Sequence, residues 1–166
     1  PASMSAMKKW AKNTQRNHII VEHNDDSGSV DEQAYINKLT SDVRIVSIVH
    51  TSPVTGMTVD LEKITKEVRN VAPDCIIIVD GIQHSSHGAI DVQKYDIDGY
   101  VVSPYKMFSR HGYGVAWASD RLCTLNKEQL ADGPFQNWEL GTRDAGSYAT
   151  FSDVVDYLDW LGSNFT

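Results

Sequence analysis

The chain has 166 residues, 41% of them hydrophobic, with 15 basic against 22 acidic side chains and a net charge of -7. That is enough for one domain with a proper core, and without a basic cluster neither a nucleic-acid nor an anionic-membrane partner is expected. Two cysteines, Cys75 and Cys123, are too few for a disulfide framework, and neither a membrane span nor a signal peptide is recognisable, so a soluble cytoplasmic chain is expected.

Residues 5–13 place Ala6, Met7, Trp10 and Ala11 near one helical face with Lys8, Lys9 and Lys12 elsewhere, which predicts a short amphipathic helix. Residues 18–22, HIIVE, read as a brief strand, residues 24–30 as a loop, and residues 31–39 as a second helix. The neighbouring Asp25 and Asp26 lack a cation-ligand pattern and belong to a solvated loop. Residues 44–50, RIVSIVH, form the next strand, followed by a turn, TSPVTG, punctuated by Pro53 and Gly56. Leu61, Ile64, Val68 and Val71 then recur at helical spacing until Pro73 stops them.

Residues 75–79 are an almost purely apolar run, the pattern of a strand covered on both faces, and it ends in Asp80. Strand, helix, strand makes a βαβ unit with parallel strands and a right-handed crossover. Topology alone therefore brings residues 50–52 and Asp80 to one carboxyl edge, where open α/β sheets bind ligands. Residues 81–90 form a His/Ser/Gly-rich loop. Residues 100–103 and 113–118 are two strands around a loop holding Lys106, with Ser103 and Tyr105 delivered to the same edge. A short helix over 121–130 and an irregular connection over 133–146 follow. Phe151, Val154, Val155, Leu158 and Leu161 then make an apolar helical stripe with Gly162 as its stop. No internal repeat or linker marks a second domain.

Two other constellations are weak. His84-x-x-His87, with His50 nearby, lacks cysteine partners for a zinc site and reads as solvated loop histidine. Gly112-x-Gly114 is half a dinucleotide fingerprint with Trp117 where a third glycine belongs, and reads as turn chemistry.

Three segments in order, VDGIQ at 79–83, D-x-D-x-Y-x-x-S-x-x-K at 96–106 and WELGT at 138–142, resemble the class V aminotransferase group of pyridoxal 5'-phosphate (PLP) enzymes, especially its cysteine desulfurase-like branch. The resemblance runs from about residue 45 to residue 162. It implies an α/β fold with a mainly parallel sheet flanked by helices, part of the large domain of an aspartate-aminotransferase-type (fold type I) enzyme. By the same resemblance the cofactor is PLP and Lys106 is the catalytic Schiff-base lysine, which also moves protons at the substrate α-carbon. Asp80 would hold the proton of the ring nitrogen, Gln83 would hydrogen-bond the phenolic oxygen, and Ser103 and Tyr105 would bind the phosphate. Thr142 would reach the phosphate held by a neighbouring subunit, which implies a homodimer. The apolar and aromatic neighbours Tyr105, Met107 and Phe108 suit a lysine that must react as the neutral amine.

Departures from the family are as informative. Pro53 stands where the family has an asparagine, so that contact is lost or passes to Ser52, and Tyr105 replaces the usual histidine. The family's phosphate-cradling turn before the first helix, and its small domain with the carboxylate-gripping arginine and nucleophilic cysteine, have no counterpart; neither Cys75 nor Cys123 matches that cysteine. The expectation is thus a single incomplete PLP-enzyme domain over 1–166 acting on an amino acid; the resemblance favours a sulfur-containing one such as cysteine, with desulfuration, transamination and racemisation all left open as the reaction. A catalytically silent α/β domain kept for dimerisation or interaction is the alternative, and an unrelated α/β binding module is a third reading.

Overall fold

The computed structural model describes residues 2–30, 32–126, 131, 138 and 141–165. A four-stranded sheet runs in the order β1 (Ile45–Val49), β2 (Ile76–Asp80), β3 (Gly99–Val102), β4 (Val115–Ala118). β1, β2 and β3 are parallel, and β4 is antiparallel to β3. The helices are α1 (Ala2–Asn13), α2 (Glu32–Ile36), α3 (Leu61–Val71), α4 (Asp120–Cys123) and α5 (Ala145–Phe165). None of the described helices is long and apolar enough to cross a membrane.

The core lies between α3 and the parallel strands. Asp60 caps α3, its carboxylate accepting the Lys63 N–H at 3.1 Å, which satisfies one orphan donor of the first turn. From there Leu61, Ile64 and Val68 pack with Ile48, Ile77 and Val79. Each such side chain, when fully buried, stabilises the fold by about 1.5–3 kcal/mol. The helix ends at Ala72, whose N–H returns to Val68 C=O, ahead of Pro73.

At the amino end of β3 a buried carboxylate ties this unit together. Asp98 accepts from Arg69 Nη2 at 2.7 Å, the Ile77 N–H at 2.9 Å and Ser119 Oγ at 3.1 Å, with Arg121 Nε at 3.3 Å. Burial pushes its pKa up, but the Arg69 hydrogen bond, the Ile77 N–H and the two guanidinium charges outweigh this and hold it below the ordinary carboxylate value. Arg69 also donates to the carbonyls of Pro73, Cys75 and Asp96.

Several expectations are corrected. Residues 18–22 form no strand: the segment is extended but pairs with no described strand, and Ile19 and Ile20 are exposed. A strand is stable only with a ladder partner, which a short apolar run does not guarantee. The first helix starts at Ala2, and its inward stripe is Ser3, Met7 and Ala11, whereas Trp10 is 66% exposed. The second helix is limited to Glu32–Ile36, with Asp31 outside the described residues. Around Cys123 only Asp120–Cys123 is helical among the described residues; residues 127–130 and half of the 133–146 connection lie outside the described residues. The last helix begins at Ala145 and continues through Gly162, so that glycine is not its stop.

Candidate active site

Parallel pairing sets the carboxyl edge. Val49 lies opposite Asp80, Asp80 lies opposite Val101, and the His50 N–H donates to the Asp80 carbonyl at 3.0 Å. Residues 50–52, Asp80 and the segment after β3 therefore share one rim, as the topology required. Asp80 Oδ1 accepts the Ile82 N–H at 3.2 Å, and Oδ2 accepts Ser3 Oγ from α1 at 3.0 Å. The carboxylate is thus oriented from both sides while staying half-buried.

Beyond β2, a 3₁₀ turn at His84–Ser86 follows Gln83; beyond β3, a second 3₁₀ turn at Pro104–Met107 carries the lysine. The two turns touch. Ser103 precedes the second turn in extended backbone, and its hydroxyl makes no capping bond, so it remains available at the rim. Lys106 is half-buried, its Nζ lies 5.4 Å from the Tyr105 ring centroid, and it makes no ion pair among the described residues. Tyr105 stacks on His111 with centroids 4.2 Å apart. The turn closes on Phe108, a left-handed residue with φ of 67° that is 81% exposed. A phenylalanine rarely adopts that region, so the turn after Lys106 holds local strain. Gln83 Nε2 sits 2.9 Å from His87 Nε2. Ser52 Oγ accepts the N–H groups of Val54 and Thr55 at 3.3 and 3.2 Å, shaping the TSPVTG turn, and its own proton stays free to donate. Thr142 is exposed in the segment before α5. Asp80, Gln83, Ser103, Tyr105 and Lys106 are thus gathered on the strand ends or the two touching turns, and Ser52 lies on the adjoining turn.

Behind the rim stands a buried polar group that the residue pattern did not announce. His50 and His84 stack with ring centroids 3.5 Å apart, His50 Nδ1 is 2.8 Å from Tyr100 Oη, and His84 Nδ1 is 2.9 Å from Thr51 Oγ1. His84 is therefore a core histidine and not a solvated loop residue, while His87 turns outward to Gln83. Among the described residues no group of three His, Cys, Asp or Glu side chains is arranged to hold a metal. The contact of Ser3 with Asp80 was also unannounced, since nothing in the sequence relates two residues 77 positions apart.

Burial, and secondarily the neighbouring His84, lower the His50 pKa from 6.5 to about 4. Burial likewise raises that of Tyr100, helped by the charges of Tyr95 and Asp80. Because the folded His50 binds its proton less readily than the unfolded chain, its contribution to stability is complete above pH 6.5 and is lost as pH falls toward about 4. A shift of this size corresponds to about 3 kcal/mol. Urea unfolding at pH 7 and pH 4.5 should show that decline, and His50→Gln should flatten it; an unchanged slope in the variant would rule His50 out as its source.

Comparison with known proteins bears on this geometry. The model of the class V aminotransferase family matches residues 2–154. The chain is 35% identical over 96 residues to a cysteine desulfurase of Wigglesworthia glossinidia brevipalpis, a match covering 58% of this chain and 23% of that protein. It is 30% identical over 89 residues to a probable cysteine desulfurase of Mycoplasma genitalium, covering 54% of this chain and 22% of that one. A crystal structure of an Escherichia coli cysteine desulfurase superimposes with a TM-score of 0.77 at 24% identity, over 96% of this chain and 42% of the other, which shows a shared fold. The chain thus spans less than half the length of each of these proteins. With the family model matched over most of its length, on a mainly parallel sheet shared with fold type I enzymes, this chain belongs to the class V aminotransferase family.

Proposed function

We propose that this chain is the cofactor-binding part of a PLP-dependent enzyme that acts on an amino acid, with cysteine as the substrate that its desulfurase relatives favour. The observation that carries this reading is the register of β2 against β3, Asp80 opposite Val101, which leads a carboxylate, an amide, a hydroxyl and a lysine to one rim. Those groups suit the cofactor chemically. A carboxylate at a strand end complements a pyridinium N–H, an amide N–H complements a phenolic oxygen, and hydroxyls complement a phosphate. When bound, PLP supplies an electron sink for negative charge at the substrate α-carbon.

In this reading Asp80, already oriented by Ser3 and the Ile82 N–H, holds the proton of the ring nitrogen. Gln83 donates to the phenolic oxygen, and Ser103 and Tyr105 donate to the phosphate. Ser52 takes the contact left by Pro53, and Thr142 reaches a phosphate held by a second copy in a homodimer. Lys106 is the residue that attaches covalently to the cofactor and moves the proton at the substrate α-carbon.

The test is covalent trapping. Incubation with PLP, borohydride reduction and peptide mass spectrometry should give one modified residue, Lys106, and Lys106→Ala should abolish it. Scattered labelling of surface lysines, the same in both proteins, would instead favour a silent α/β domain.

A further inference from the structure

A buried polar cluster lies directly behind the proposed cofactor rim. His50, His84 and Tyr100 are 4%, 8% and 3% exposed. Buried polar groups are retained where their hydrogen bonds are made, and here the bonding order can be followed. His84 Nε2 faces the Ala89 carbonyl at 3.3 Å, an acceptor only, so in the neutral ring that nitrogen carries the proton. Nδ1 then presents a lone pair to the Thr51 hydroxyl, and Thr51 Oγ1 in turn accepts from Thr58 Oγ1 at 2.8 Å. His50, kept neutral, accepts the Tyr100 hydroxyl proton.

Each tether ends on a different part of the rim. Thr51 and Thr58 belong to the turn after β1, Ala89 to the far end of the loop after β2, and Tyr100 to β3. The loop is pressed onto the same rings at both ends. A Cβ at Gly81 would lie 2.1 Å from Tyr100 Cε1, and one at Gly88 would lie 2.7 Å from His84 Cε1. Between these two close approaches stands Gln83, and just before them Asp80.

We propose that His84 is a positioning residue, which through its stack on His50 and its tethers to Thr51 and Ala89 fixes the Asp80–Gln83 segment against the sheet. It does not touch the ligand. The role of that segment in holding PLP rests on the reading given above, whereas the fixing of the segment does not. Direction is the essence: a phenylalanine fills the same buried slot and keeps the stack, but severs both tethers.

His84→Phe and the milder Thr51→Val therefore separate packing from positioning. Hydrogen exchange should be read at the Ile82, Ser85 and Gly88 amides, bonded respectively to Asp80 Oδ1, Gly81 C=O and His84 C=O, with the Ile77 amide as the core reference. Both variants should speed exchange at these loop amides about tenfold and leave Ile77 unchanged. Unaltered loop protection in both variants would overturn the proposal. The second readout is PLP affinity and the visible absorption of bound PLP, in which about tenfold weaker binding with a shifted band is expected of both variants. Faster loop exchange with affinity and spectrum unchanged would reduce His84 to a structural residue and overturn the positioning role. Should the parent chain itself give no Lys106-dependent PLP adduct, the cofactor reading fails, while the exchange measurement still decides whether His84 fixes the segment.

Discussion

Asp98→Ala should lower the unfolding free energy by about 3–5 kcal/mol, among the largest effects of any single change in this fold. The side chain is almost wholly buried and receives Arg69, the Ile77 N–H and Ser119, with Arg121 alongside. Removing it leaves the Arg69 guanidinium, 11% exposed, with neutral carbonyl acceptors and, as its remaining carboxylate partner among the described residues, the looser Asp96 at 3.4 Å, and strands the Ile77 N–H inside the sheet. Asp98→Asn keeps the shape and one acceptor, so a smaller loss is expected. The exposed ion pair Lys63–Glu32 is the control: Glu32→Gln should change stability by less than about 1 kcal/mol. Urea denaturation of the three variants checks the order, and equal losses for Asp98→Ala and Glu32→Gln would show that the cluster is not a stabilising tie.

Gly81→Ala should be nearly as damaging, by about 3 kcal/mol, although it adds a single methyl group. The backbone there does not need glycine for its φ; the space does, because the new Cβ would meet Tyr100 Cε1, Cζ and Oη at 2.1, 2.2 and 2.4 Å. Tyr100 cannot swing aside without losing His50 and its buried site. In contrast, a Cβ at Gly141 or Gly162 meets nothing within 4 Å, and Gly162→Ala in α5 should be neutral or slightly stabilising. A double-mutant cycle with Tyr100→Leu tests the cause: the smaller side chain should recover part of the loss at Gly81. Additive effects would place the damage elsewhere.

The parts of the fold that were legible in the sequence are those where burial writes a local pattern. The runs that became β1 and β2, and the helical spacing of Leu61, Ile64 and Val68 between them, identify a βαβ unit, and parallel pairing then forces Asp80 onto the carboxyl edge. Lys106 and Ser103 followed because the next strand is parallel too. What escaped depends on contacts between distant residues. Residues 18–22 have strand composition but no ladder partner among the described residues, Ser3 meets Asp80 from another helix, and His50 and His84 stack across 34 positions. The start of α5 was a different omission. Asp144 accepts the Ser147 N–H at 3.2 Å and its hydroxyl at 2.6 Å, a capping pattern present in the letters but hidden in a stretch that read as irregular. Gly162 misled because one glycine in a long helix costs only about 1 kcal/mol relative to alanine.

Strand order in the sheet equals strand order in the chain, β1-β2-β3-β4. Among the described residues every pairing therefore joins consecutive strands, and none of these four must wait for a distant one to be inserted beside it. On an emerging polypeptide the sheet can grow by accretion: the β1–α3–β2 unit can collapse first, and each later strand docks on an edge already formed. The rim matures in the same sequence, with Asp80 set when β2 pairs and the lysine turn held at both ends only after β4 has folded back on β3. The Lys106 side chain would then reach its place on the rim later than Asp80 during synthesis.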